Sequence, residues 1–125
     1  MRAFVLVKPP FLDDAEGIAW AVKSAAFAFS CGATVVSLIP TRGGNGAMEQ
    51  LRGSGEFAPP RLATLESALE LSLSLKAGRV FADTWDLEKL SGCSVCFEKR
   101  RQQLLAMNRS QRILARVDCQ NCGGV

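Results

Sequence analysis

The sequence predicts an α/β fold with about three parallel strands, followed by a small cysteine-rich tail. Short apolar runs at 3–7, 34–39 and 80–82 are separated by stretches in which apolar residues recur at helical spacing, which is the pattern of β-α-β units. From residue 89 onward the character changes, because residues 89–125 contain two Cys-x-x-Cys pairs and seven basic residues. The sequence therefore predicts two regions, an α/β body at 1–88 and a basic four-cysteine tail at 89–125.

The first strand and helix carry clear local signals. Five consecutive apolar residues at 3–7 predict a strand buried on both faces, and Lys8-Pro9-Pro10 ends it because proline has no N–H for the ladder. Asp13 and Glu16 form a capping-box pattern that starts a helix at 13–31, and Gly32 is the expected residue after its end. Cys31 is expected to pack against the core, since a free cysteine behaves as a small apolar residue. The core face of this helix is predicted to hold Ile18, Ala19, Val22, Ala25, Ala26 and Phe29.

The rest of the body repeats the β-α-β order. Residues 34–39 form a β-branched run that Pro40 ends, and 41–60 is a long connection. A second helix is predicted to begin at Pro60 and to end at Gly78, before the short strand at 80–82. Strands joined through helices in this way are parallel. A sheet of only three strands would leave both edges exposed, which indicates a fragment or pairing with another chain, including a second copy.

Cys93-x-x-Cys96 and Cys119-x-x-Cys122 form the most specific motif, with twenty-two residues between the pairs. Each pair turns two sulfurs toward one point, so four thiolates can surround one metal ion as a tetrahedron. Zinc suits this ligand set, and because no coordination position remains for water, we expect a structural ion that stabilises the tail. A [4Fe–4S] cluster and redox dithiols are the alternatives. Between the pairs, the pattern predicts a helix at 97–108 and a candidate strand at 109–117.

The composition excludes several classes of function. The chain has no histidine and no tyrosine, which removes the usual general acid–base side chain and the imidazole metal ligand, and with them a hydrolase triad. No apolar run approaches the ~18 residues of a membrane span, and Lys8, Pro9 and Pro10 interrupt the apolar run near Met1. We therefore expect a soluble, cytoplasmic protein that makes no membrane contact.

Charge is unevenly distributed along the chain. The formal net charge is +3, with eight basic and ten acidic side chains at 1–88 and seven basic against two acidic at 89–125. A basic tail beside a near-neutral body is typical of contact with RNA or another phosphate backbone, and a solvated helix face is the alternative. Phe97 is the nearby aromatic residue, so the pattern favours phosphate contact over base stacking. The basic residues around the cysteines are Lys99, Arg100, Arg101, Arg109, Arg112 and Arg116.

Polar residues follow each predicted strand. In parallel α/β folds, ligands bind at the carboxyl ends of the strands. Glycines surround Asn45 before a short helical stretch, and a segment of this kind can approach an anion. Loop solvation, a salt bridge, helix capping or a plain flexible turn are the alternatives for these positions. The candidate binding residues are therefore Lys8, Arg42, Asn45, Glu49 and Asp83.

Short stretches spread over most of the chain carry a family resemblance. In the body they are Lys8-Pro9-Pro10-Phe11, Ser37-Leu38-Ile39-Pro40-Thr41-Arg42, Asn45-Gly46-x-x-Glu49-x-Leu51, Phe57-x-Pro59-Pro60 and Asp83-x-Trp85-Asp86. In the tail they are Cys93-x-x-Cys96, Arg100, Met107-Asn108-x-x-Gln111 and the last Cys-x-x-Cys. With these stretches the chain resembles the C-terminal half of a radical S-adenosylmethionine (SAM) protein, of the subgroup related to the elongator-type subunit and the archaeosine-synthesis enzyme.

The resemblance implies the last three β-α units of a partial TIM barrel, followed by a cysteine-rich tail. In the family's full enzymes a Cys-x-x-x-Cys-x-x-Cys loop binds a [4Fe–4S] cluster that cleaves SAM to a radical, and this chain contains no such loop. We therefore expect the C-terminal portion of an enzyme that modifies tRNA or another nucleic acid. It should be inactive alone, with the cluster and SAM bound only in a full-length enzyme that includes the amino-terminal half of the barrel. The alternative is a stand-alone zinc-binding module that contacts nucleic acid or protein.

Overall fold

The computed structural model describes residues 1–9, 12–41, 60–117 and 119–120 of the 125-residue chain. These residues form an α/β fold, as the sequence predicts. The strands are β1 (Arg2–Val7), β2 (Val35–Pro40) and β3 (Arg79–Ala82), and the described helices are α1 (Asp14–Ser30), α2 (Leu62–Leu73) and α3 (Phe97–Ser110). A short 3₁₀ turn at Leu87–Leu90 leads from β3 to the cysteines.

The three strands form one parallel sheet in the order β1-β2-β3, which confirms the predicted topology. One side of the sheet carries both α1 and α2, because their apolar residues join those of the strands in a single core. The tail belongs to the same core, since Leu104 and Met107 of α3 are buried in it. Strands that follow one another in space, with their helices on one side, are the arrangement found in (β/α) barrels.

The predicted boundaries of α1 are confirmed by its caps. The Asp13 carboxylate accepts a hydrogen bond of 2.7 Å from the Glu16 N–H, and the Glu16 carboxylate accepts one of 3.1 Å from the Asp13 N–H. These two bonds form the predicted capping box. At the other end Gly32 takes a φ of +101°, a conformation that glycine adopts without steric cost.

The predicted burial of Cys31 is wrong, because this residue is exposed. The buried face of α1 repeats every four residues, at Gly17, Ala21 and Ala25. Cys31 follows Ala25 by six residues, and at about 100° per residue it points roughly 120° away from that face. The predicted core list was out of phase for the same reason: Ala25 is buried, Ile18, Val22 and Phe29 are half-buried, and Ala19 and Ala26 are exposed.

The second helix ends earlier than predicted. α2 stops at Leu73, and Lys76 then takes a left-handed φ of 51°, so the turn does not use Gly78 as its cap. Gly78 has a packing role instead. A Cβ at this position would lie 2.4 Å from the Phe29 ring and 2.9 Å from the Thr34 carbonyl oxygen. Only a residue without a side chain allows the chain to enter β3 this close to α1.

The outer edge of β3 is covered, contrary to the prediction that both sheet edges are exposed. The Asn108 carboxamide accepts from the Ala82 N–H at 2.8 Å and donates to the Ala82 carbonyl at 3.0 Å. The Gln111 carboxamide does the same with Val80, at 2.8 Å for both bonds. These four bonds replace the ladder that a further strand would form. We call Asn108 and Gln111 the edge clamp.

The candidate strand at 109–117 is also wrong. Arg109 and Ser110 belong to α3, and Gln111 ends that helix in the left-handed conformation with a φ of 58°. Residues 111–117 contain no strand. Their apolar members resembled a short strand, but the clamp occupies the edge to which a strand here would have added.

The sheet face opposite the helices is apolar and open among the described residues. Phe4 and Leu6 are 67% and 53% exposed, and Ile39 and Phe81 are half-buried beside them. Parallel sheets are usually covered on both faces. Within the same described ranges, no helix is long and apolar enough to cross a membrane.

Candidate metal centre

Three cysteines of the tail lie together. Cys93, Cys96 and Cys119 place their sulfurs within 4.8 Å of one another, and the Cys93 and Cys119 sulfurs are 3.8 Å apart. No disulfide joins these three cysteines, since such a bond would bring two sulfurs to about 2.05 Å. Cys122 lies outside the described residues, so its predicted role as the fourth ligand stays a prediction. The structure therefore brings together the three predicted ligands that it describes.

The spacing of the sulfurs fits a tetrahedral metal–thiolate site. Zinc–sulfur bonds of about 2.3 Å at tetrahedral angles place neighbouring sulfurs about 3.8 Å apart. Cys93 and Cys119 are already at that separation. Cys93 and Cys96 are buried and Cys119 is half-buried, so solvent has little access to the site. A soft, enclosed, all-sulfur ligand set of this kind can hold a metal ion.

Local structure fixes the two ligands of the first pair. Cys96 is the residue at the amino end of α3, where the helix dipole favours a negatively charged thiolate. Ser91 holds Cys93, because its hydroxyl accepts from the Cys93 N–H at 3.2 Å and donates to the Cys93 carbonyl at 2.9 Å. Leu87 and Leu90 of the 3₁₀ turn are buried in the core just before this loop. The loop that carries Cys93 and Cys96 thus follows the end of β3 through a turn that is anchored in the core.

A buried arginine joins the cysteines to the body. Arg100 is 1% exposed and Glu66 of α2 is 3% exposed. The Arg100 Nε donates to Glu66 at 3.3 Å and Nη2 donates to the other carboxylate oxygen, while Nη1 lies 3.9 Å from the Cys96 sulfur. Burial lowers the pKa of the Arg100 guanidinium, but the hydrogen bond and charge of Glu66 outweigh it and raise that pKa above its ordinary value. Arg100 therefore stays charged beside the sulfur.

Ion pairs occupy several basic residues of the tail. Arg116 binds Glu70 at 2.7 Å and lies 3.6 Å from Glu66, and Arg101 pairs with Glu98 at 3.2 Å. With Arg100 buried, the basic surface is smaller than the sequence count indicates. Lys99, Arg109 and Arg112 are the tail cations, among those the sequence singled out, that have no ion pair within the described part of the chain.

Of the strand-end candidates, the structure describes Lys8 and Asp83, and it does not place these two in one pocket. An open groove of about 350 Å³ on the uncovered sheet face is lined by Asp83, together with Phe4, Ser37 and Phe81. The Asp83 carboxylate also accepts from the Trp85 N–H at 3.1 Å, as in a local turn. Lys8 is buried away from this groove and pairs with Asp14 at 3.4 Å. Arg42, Asn45 and Glu49 lie outside the described residues, so their predicted roles stay predictions.

The Lys8–Asp14 pair predicts a pH dependence of stability. Burial raises the pKa of Asp14, but hydrogen bonds from Thr64 and the Arg61 N–H, with the charge of Lys8, lower it below the ordinary 3.8. A carboxyl group with a lowered pKa stabilises the fold above its unfolded pKa, and this contribution disappears as pH falls through the folded value. We expect Asp14→Asn to lower the free energy of unfolding by about 1–3 kcal/mol at pH 7, with a smaller difference at pH 3.

Urea unfolding of both proteins at several pH values measures this effect. Glu98→Gln is the matched control, because it removes a carboxylate from an exposed ion pair and should cost under about 1 kcal/mol at every pH. A difference between wild type and Asp14→Asn that grows as the pH falls would contradict the assignment.

Sequence reasoning missed two contributors to the centre. Glu66 did carry a signal, since a charged residue at a buried position of α2 requires a buried partner. Arg100 was counted with the phosphate-binding candidates although it faces inward.

Comparison with protein-family models, with curated proteins and with solved structures finds no match to this chain.

Proposed function

We propose that this chain is the C-terminal portion of a radical SAM enzyme that modifies tRNA or another nucleic acid. In this proposal the four cysteines bind one structural zinc ion, and that ion fastens the tail to the edge of a partial barrel. The observation that carries it is the cysteine cluster at the end of β3, with 3.8 Å between the Cys93 and Cys119 sulfurs. The sequence stretches that resemble the radical SAM subgroup supply the choice of enzyme class.

The two edges of the sheet support the barrel part of the proposal. The edge clamp saturates the outer backbone groups of β3, so further strands cannot add on that side. The described strands leave β1 without an outer neighbour. Additional barrel strands would therefore pair with β1, and the apolar face at Phe4 and Leu6 would become barrel interior. A C-terminal barrel fragment requires this arrangement, in which the first strand has an open edge and the last strand has a covered one.

Zinc, when bound, supplies structural cross-linking and no chemical step. With four thiolates around it the ion has no position for water or substrate, so it would not act as a Lewis acid. The residues of the chain hold the loop and α3 in place around it. The radical chemistry belongs to a [4Fe–4S] cluster and SAM bound by residues that are not part of this sequence.

Two experiments test the proposal. The genomic reading frame should contain a Cys-x-x-x-Cys-x-x-Cys motif upstream of Met1, and a frame without it would overturn the enzyme assignment. Protein made from that whole frame, after anaerobic iron–sulfur reconstitution, should convert SAM to 5′-deoxyadenosine in the presence of reductant. A rate of SAM cleavage that increases on addition of bulk tRNA would support a nucleic-acid substrate. A rate that does not change on addition of tRNA would contradict it.

A stand-alone zinc module that contacts nucleic acid is the second candidate. The observation that favours it is the group of tail cations without an ion pair among the described residues, Lys99, Arg109 and Arg112. Three phosphate contacts would give a log–log salt dependence with a slope of about 2 to 3 in tRNA binding. A titration of this chain alone with tRNA distinguishes the candidates, because no binding at low salt would exclude the module.

A further inference from the structure

Arg100 is placed to do more than balance a buried charge. A guanidinium has five N–H donors in a planar fork, and here one side of the fork faces the Glu66 carboxylate while Nη1 faces the Cys96 sulfur. The residue is 1% exposed and lies one helical turn after Cys96, whose carbonyl accepts its backbone N–H at 3.0 Å. Its side chain therefore contacts a metal ligand and the body of the fold at the same time.

We propose that Arg100 is a positioning residue for the metal centre, donating a charge-assisted hydrogen bond to the Cys96 thiolate while Glu66 fixes the guanidinium to α2. The inference rests on the metal centre of the proposed function and is independent of the radical SAM assignment. It names the contact by which the centre and the α/β body stabilise each other.

The filled site would bury a net negative charge. A divalent ion with four thiolates carries a net charge of −2, which is costly in a buried place without nearby donors. Arg100 supplies a positive charge and a directed N–H at 3.9 Å from the Cys96 sulfur. Hydrogen bonds from charged donors are about twice as strong as neutral ones. The Arg100 contact therefore favours the metal-bound thiolate over the neutral, metal-free thiol.

Glu66 has the complementary task. An arginine side chain is long and flexible, and without a fixed partner it would not hold one N–H on a sulfur. The Glu66 carboxylate binds both Nε and Nη2, and it is itself held near Arg116 at 3.6 Å. Groups that orient metal ligands in this way typically change metal affinity by about 10–100-fold when they are removed.

The test uses the full chain loaded with Zn²⁺ or Co²⁺. Removing Arg100 alone would take from the buried Glu66 carboxylate its main charge partner and leave it the longer 3.6 Å contact with Arg116, which is strongly destabilising. The informative variant is Arg100→Met with Glu66→Met, which removes both buried charges together and is expected to keep the fold. We expect its Zn²⁺ affinity, measured by chelator competition, to fall by about 10–100-fold.

The absorption spectrum of bound Co²⁺ supplies a second measurement, which would not change if Arg100 only stabilised the fold. A hydrogen bond to sulfur lowers the energy of its lone pairs, so its loss should shift the sulfur-to-Co²⁺ charge-transfer band of the double variant to longer wavelength. Glu66→Gln, which keeps the Arg100 donor and one oxygen acceptor for it, should shift the band in the same direction by less than the double variant does. Arg100→Lys keeps one charged donor, so its charge-transfer band should lie between those of wild type and the double variant. Arg101→Met, on the exposed side of α3, should match wild type in both measurements.

Two results would overturn the inference. A double variant with wild-type Zn²⁺ affinity and a wild-type Co²⁺ spectrum would show that Arg100 does not act on the centre, while leaving the metal site itself intact. Wild-type protein that binds neither ion would overturn the metal centre as well, and so would remove the zinc part of the proposed function.

Discussion

Cys96→Ser should release the metal ion and destabilise the whole domain. Cys96 begins α3, and α3 contributes Leu104 and Met107 to the common core, so loss of the centre frees a helix that the body depends on. Ligand binding to the folded state alone stabilises it by about 4 kcal/mol when free zinc exceeds Kd about a thousandfold. We expect a loss of this size in urea unfolding, and less than one zinc per chain in elemental analysis.

The chain provides a matched control for this experiment. Cys31→Ser makes the same chemical change at the exposed cysteine that follows α1, outside the cysteine cluster. It should retain one zinc per chain and change stability by no more than about 0.5 kcal/mol. Treating wild type with a strong chelator should reproduce the Cys96→Ser result. If Cys96→Ser keeps both its zinc and the wild-type unfolding midpoint, the cysteines do not form the centre that we describe.

The sequence predicted those parts of the fold that depend on local chemistry. The apolar runs identified three strands, and the Asp13–Glu16 capping box located the start of α1, because a cap is decided within four residues. The four-cysteine motif likewise predicted the three ligands that the structure brings together. The geometry within one Cys-x-x-Cys turn is also set by neighbouring residues. The proximity of the two pairs, in contrast, depends on the tertiary structure.

The errors arose where contacts between distant residues decide the outcome. The burial of Cys31 depended on the exact phase of α1 against the sheet, which apolar spacing gives only approximately. The direction of Arg100 depended on Glu66, thirty-four residues earlier, so composition alone assigned it to the surface. The protected edge of β3 depended on two carboxamides that no hydrophobic pattern reveals.

Removing the edge clamp should both destabilise the protein and expose a sheet edge. Asn108→Ala with Gln111→Ala deletes the four clamp hydrogen bonds, together with the bond from Gln111 to the Asn108 carbonyl, and leaves the outer backbone groups of Val80 and Ala82 without partners. Each group left without a partner costs about 1–3 kcal/mol where it is shielded from water. An uncovered edge is also a template for another chain. We therefore expect lower stability in urea and concentration-dependent self-association in sedimentation velocity.

Two further variants separate the hydrogen-bond pattern from the loss of side-chain volume. Asn108→Asp keeps the size of the side chain, but its carboxylate can accept from the Ala82 N–H and cannot donate to the Ala82 carbonyl. It should therefore be destabilised to nearly the same extent as Asn108→Ala. Gln102→Ala, which removes an exposed carboxamide from the same helix, should stay monomeric and near wild-type stability. A fully stable Asn108→Asp protein would mean that the carboxamide fills space and does not act as a substitute strand. In that case β3 could accept a further strand, and additional barrel strands would not be restricted to the edge of β1.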